Sequence, residues 1–77
     1  MRHRAFIVDT PRAAPLLAHP LGEQYECLCA TTWDHAVRRL HEARPDVIFV
    51  GYHFDEMRPY RFIRHVRDDA VARTRFP

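Results

Sequence analysis

Residues 44–51 read Arg44-Pro45-Asp46-Val47-Ile48-Phe49-Val50-Gly51, and the four apolar residues between Asp46 and Gly51 decide the fold class. They are β-branched or aromatic and do not alternate with polar residues, so they read as a strand covered on both faces, as strands of parallel sheets are. Pro45 disfavours a helical conformation at Arg44, so the element before this strand ends there. That element is an amphipathic helix. Trp33, Ala36, Val37, Leu40 and Ala43 fall at helical intervals, Arg38, Arg39, His41 and Glu42 lie off the stripe, and Thr31 and Thr32 precede it as cap candidates.

Working outward, Tyr25-Glu26-Cys27-Leu28-Cys29-Ala30 reads as a second short strand, and Ala5-Phe6-Ile7-Val8, stopped by Asp9-Thr10-Pro11, as the first. Between them Ala13, Leu16 and Leu17, with Ala14, Ala18 and Leu21 nearby, have helical spacing. Pro15 and Pro20 make that helix short or broken, and Gly22 stops it. Beyond Gly51, residues 52–58 read as a loop and Pro59 as a helix start. Phe62, Ile63, Val66 and Ala70 then form the buried stripe of the last helix. Strands alternating with helices as βαβαβα, with short connections, predict an α/β domain with a parallel sheet and right-handed crossovers.

Composition narrows the function. A chain of 77 residues, 47% hydrophobic and 29% charged, reads as one small domain. No apolar run approaches the ~18 to 20 residues a membrane span needs, and the start of the chain does not resemble a signal peptide. The 12 basic residues are all arginine against 10 acids, giving a net charge of +2, so nucleic acid is not the expected partner. Lys, Ser and Asn are absent, which removes serine nucleophiles and lysine Schiff bases, and no enzymatic activity or cofactor is expected. Cys27 and Cys29 would share one strand face without the geometry to bond each other. They read as reduced, buried hydrophobes in a cytoplasmic protein.

The pattern as a whole resembles the receiver domain of two-component response regulators over almost the entire chain. Ala5-Phe6-Ile7-Val8-Asp9-Thr10 is similar to the receiver's first strand and the start of its acidic pair. Ala36-Val37-Arg38-Arg39-Leu40, with residues 44–50, is similar to its second helix and third strand. Met57, Tyr60, Phe62, Ile63, Arg64, Val66 and Arg67 fall where receivers carry a Met, an aromatic, two aliphatics and the end of the third helix. The resemblance implies a flavodoxin-like, partial βαβαβα unit with a three-stranded parallel sheet in the order 2-1-3. It also implies that the chain is an N-terminal fragment of a longer receiver, because the family's switch Thr and Lys belong to fourth and fifth strands.

The departures from the family govern mechanism. The phospho-accepting Asp is replaced by Gly51, and the acidic pair keeps Asp9 but has Thr10 beside it, so weak metal binding and no acyl phosphate are expected. Asp55 stands at a common Pro position and Pro59 at that of a near-universal Gly. The resemblance implies a signalling protein as partner, with His53, Asp55, Glu56, Arg58, Arg61 and Arg64 as the interaction surface. The open edge of Val47–Val50 is a site for self-association.

Each candidate has a plainer alternative. Asp9 could cap the following helix instead of marking a vestigial Mg²⁺ pocket, and Asp55 or Glu56 could cap the last helix. Asp9, His53 and Asp55 together have metal-ligand chemistry. Arg58, Arg61, Arg64 and Arg67, with Arg73 and Arg75, make a positive face that could meet nucleic acid, or simply a solvated face balanced by Asp55, Glu56, Asp68 and Asp69. Trp33 reads as core.

Overall fold

The structure is a computed structural model that describes residues 2–74, with side chains described through Asp69. Ala70, Arg73 and Arg75 therefore lie outside the described side chains. The described elements are β1 (His3–Val8), α1 (Ala14–Leu21), β2 (Tyr25–Ala30), α2 (Trp33–Ala43), β3 (Val47–Val50), a four-residue turn α3 (Phe54–Met57) and α4 (Pro59–Thr74). The three strands form one parallel sheet in the order β2-β1-β3. The fold is thus α/β with the topology of a partial flavodoxin-like unit. The central strand is the best covered: Ala5, Phe6, Ile7 and Val8 are all fully buried.

Strand register sorts the side chains into two layers. Phe6 lies opposite Leu28 and Ile48, and Val8 opposite Ala30 and Val50, so these point to one face. There they pack with Ala36 and Leu40 of α2, Phe54 of α3 and Phe62 of α4 in a single core cluster. Ala5 and Ile7 share the other face with Cys27, Cys29, Val47 and Phe49. Tyr25 and Phe49 make an edge-on ring contact there, with centroids 6.5 Å apart.

Helix α2 carries its expected stripe: Ala36, Leu40 and Ala43 are buried and Trp33 and Val37 half-buried. Thr32 is its N-cap, and its hydroxyl accepts a hydrogen bond from the His35 N–H at 3.3 Å. The helix ends on Arg44 in the left-handed region (φ 45°), where glycine is the commoner choice, and Pro45 prevents continuation.

Four expectations are corrected. In α1 the inner stripe is Ala14, with Ala18 and Leu21 half-buried, while Leu16 and Leu17 face outward. The helix begins at Ala14, and the turn held by Thr10 sets that residue against the sheet. In α4 Phe62 is fully buried and Val66 packs half-buried against the same core, but Ile63 is 44% exposed, because adjacent helical residues project in different directions and only one of the pair can face the core. Strand β3 is less buried than its uninterrupted apolar run implies. All four of its residues are half-buried, since it pairs only with β1 and one of its edges is open. Cys27 and Cys29 are free but half-buried rather than fully buried.

The stretch read as a loop contains the α3 turn, and its backbone is left-handed. Asp55, Glu56 and Met57 have φ of 54°, 56° and 65°. For side chains other than glycine this conformation costs roughly 1–2 kcal/mol per residue. Glu56→Gly is therefore expected to raise stability by about 0.5–1 kcal/mol, the relief exceeding both the entropy cost of glycine and the loss of an exposed ion pair. A denaturant midpoint that falls instead would show that the turn is not left-handed in solution.

Candidate functional site

The site lies at the carboxyl ends of β1 and β3, where the register Val8↔Val50 brings Asp9 beside Gly51. The Gly51 N–H donates to the Val8 carbonyl at 2.8 Å, and the Asp9 N–H donates to the Ala30 carbonyl at 3.2 Å, fixing both backbones across the sheet. Asp9 is the one charged residue among the described core, 6% exposed. Its Oδ1 accepts the Thr10 N–H at 2.7 Å.

The carboxylate of Asp9 stands directly over the Cα of Gly51. A Cβ placed on Gly51 would collide with Asp9 Cγ, Oδ1 and Oδ2. Gly51 does not have a positive φ, so backbone conformation is not what excludes a side chain here. Glycine fits because the neighbouring carboxylate already fills the space. Carboxylate and glycine are thus a matched pair, and the volume that an acidic side chain at position 51 would need is taken.

Thr10, not Asp9, caps the chain that follows. Its hydroxyl accepts the Ala13 N–H at 3.2 Å, and its carbonyl accepts the N–H groups of Ala13 and Ala14 at 3.1 and 2.9 Å. Asp9 supports this cap through Thr10 rather than replacing it.

The remaining candidate residues separate. His53 is exposed, makes no side-chain cap bond, and contacts the Tyr52 ring edge-on with centroids 5.4 Å apart. Asp55 turns toward α4 and pairs with Arg61 at 3.4 Å, and Glu56 pairs with Arg58 at 3.3 Å. Neither acid caps α4. Instead the Asp55 carbonyl accepts the Arg58 side-chain Nε–H at 3.2 Å. Among the described residues no group of three or more His, Cys, Asp or Glu side chains is placed to hold a metal ion, so Asp9, His53 and Asp55 are not brought into one ligand set.

Of the arginine stripe, Arg58 and Arg61 are committed to these acids, and the Arg61 guanidinium also lies 5.4 Å from the centroid of the Trp33 ring. Arg64 and Arg67 remain exposed. Trp33 packs edge-on against Phe62 at 5.8 Å, as a core residue does, yet it also forms one wall of a surface cleft that sequence periodicity did not reveal. The Cys29 thiol is pushed above its usual pKa, first by burial and then by Cys27, with Arg39 opposing, so it stays protonated and is a poor nucleophile or metal ligand.

No family model, no curated protein and no solved structure matches this chain. Among the described residues no helix is long and apolar enough to cross a membrane.

Proposed function

We propose that the chain is a receiver-like domain, of the kind found in two-component signalling, that does not carry out phosphotransfer and acts by protein–protein contact. The observation that supports this reading best is the Asp9 carboxylate seated where a side chain at position 51 would project. An acyl phosphate needs a carboxylate reachable by a phosphodonor at that corner. Here Gly51 offers none, and Asp9 is buried with Oδ1 already bonded. Next to the silent corner, His53, Asp55, Glu56, Arg58, Arg61 and Arg64 form a charged surface on the turn after β3 and the start of α4. Charges of this kind govern association rate and partner choice more than stability. The two free cysteines fit a reducing, cytoplasmic setting.

Incubation with acetyl phosphate and Mg²⁺, followed by intact-mass analysis, is expected to show no phosphorylated species. A stoichiometric, alkali-labile phosphoryl group mapped to Asp9 or Asp55 would overturn the reading.

The open edge of β3 belongs to the same proposal. An edge strand leaves a row of backbone N–H and C=O groups without strand partners, and three strands are near the minimum for an independent sheet. Sedimentation is expected to show self-association through Val47–Val50, or capture of that edge by a partner. A stable monomer with sharp cooperative unfolding would contradict this.

A further inference from the structure

One cleft lies apart from the Asp9–Gly51 corner. It holds about 250 Å³ between the first turn of α2 and one face of α4, and its walls are Trp33, Tyr60, Arg61, Arg64, His65 and Asp68. The α4 residues recur as i, i+1, i+4, i+5 and i+8, so they form one helical face turned toward Trp33. We propose that this cleft binds a small aromatic anion, with its ring between Trp33 and Tyr60 and its charge on Arg64.

Two features of the cleft converge on that class. The walls are aromatic: Trp33 is held by Phe62 and His65, each with ring centroids 5.8 Å away, and Tyr60 is largely exposed, leaving ring surface free for stacking. The cleft is lined by two guanidinium groups and one carboxylate. Arg61 is occupied by Asp55 and the Trp33 face, whereas Arg64 has no ion-pair partner among the described residues, so its fork is available for a carboxylate or phosphate. The volume is below the usual range of about 300–1,000 Å³ for drug-sized ligands, which limits the occupant to one or two rings.

Two sources share this chemistry, a nucleoside monophosphate and an aromatic carboxylate, and a titration separates them. Trp33 is the sole tryptophan, so its indole N–H gives a single assigned resonance in a ¹H–¹⁵N spectrum of the full chain. AMP and benzoate are the probes, with adenosine and benzyl alcohol as uncharged counterparts. At least one anion is expected to shift the indole signal saturably with Kd below about 1 mM, and its uncharged counterpart to bind at least about tenfold more weakly. Binding by AMP alone identifies a nucleotide site, and binding by benzoate alone an aromatic-carboxylate site. Arg64→Ala, a change on an exposed side chain, should weaken binding about fivefold or more with thermal unfolding unchanged, and Tyr60→Ala should weaken the charged and uncharged probes alike. No saturable shift up to about 10 mM, equal binding of the uncharged probes, or an Arg64→Ala variant that binds as well as the parent would each overturn the proposal.

Discussion

Replacing Phe62 by Ala is expected to lower stability by about 3–5 kcal/mol, the range for removing a buried aromatic ring whose surroundings cannot collapse. Phe62 is fully buried and meets the rings of Trp33, Phe54 and His65 at centroid distances of 5.8, 5.8 and 6.2 Å. With the half-buried Val66, it brings α4 into the core cluster of Phe6, Val8 and Leu40. Its loss leaves a void lined by α2, α3 and α4 together. The neighbouring Ile63→Ala is expected to cost less than about 1 kcal/mol, because Ile63 is nearly half exposed and leaves no closed cavity. Denaturant midpoints at one fixed protein concentration, needed because self-association would shift them, give both values. Comparable losses for the two variants would mean that α4 is rotated about its axis relative to the structure.

The second large effect belongs to Gly51. Gly51→Ala is expected to destabilise the fold by about 2–3 kcal/mol, near the upper end for inserting a single methyl group into filled space. The added carbon meets all three carboxyl atoms of Asp9. Asp9 has little room to yield: it is buried, its Cβ is anchored at the end of β1, and rotating the carboxylate gives up the bond from the Thr10 N–H. Gly51→Asp meets the same obstruction and adds a second carboxylate beside the first. It is therefore not a simple restoration of a phospho-acceptor.

The parts of the fold legible in the sequence are those set by periodicity. The alternation of short apolar strands with the Trp33–Ala43 stripe was sufficient for the α/β class, and the resemblance to receivers supplied the order β2-β1-β3. Periodicity was weaker where two rotations bury comparable residues. In α1 either Ala14 or the pair Leu16 and Leu17 could have faced the sheet. The short connection from Thr10, whose hydroxyl and carbonyl hold Ala13 and Ala14, selected the alanine face. In α4, Phe62 and Ile63 are adjacent and only one can point inward; the larger ring took the core.

The left-handed α3 turn was invisible because Asp55-Glu56-Met57 contains no glycine to announce positive φ. At the candidate site, Asp9 and Gly51 were each singled out from the sequence. Their contact was not, since it depends on the register that aligns Val8 with Val50. The arginines could be seen as a stripe, but which of them are neutralised is decided by the turn that swings Asp55 toward Arg61.

The account rests on Asp9 and Gly51 being mutually dependent, and a double-mutant cycle measures that dependence directly. Gly51→Ala, Asp9→Ala and the double variant are compared with the parent by denaturant midpoint. Asp9→Ala alone is expected to have a small effect, since it gives up one hydrogen bond while relieving a buried carboxylate of its desolvation. In the Asp9→Ala background the Gly51→Ala cost should largely vanish, with a coupling energy of about 1–3 kcal/mol favouring the double variant over the sum of the singles. Strict additivity, with Gly51→Ala equally damaging whether or not the carboxylate is present, would contradict the placement of Asp9 over Gly51 and with it the main support for the proposed loss of phosphotransfer.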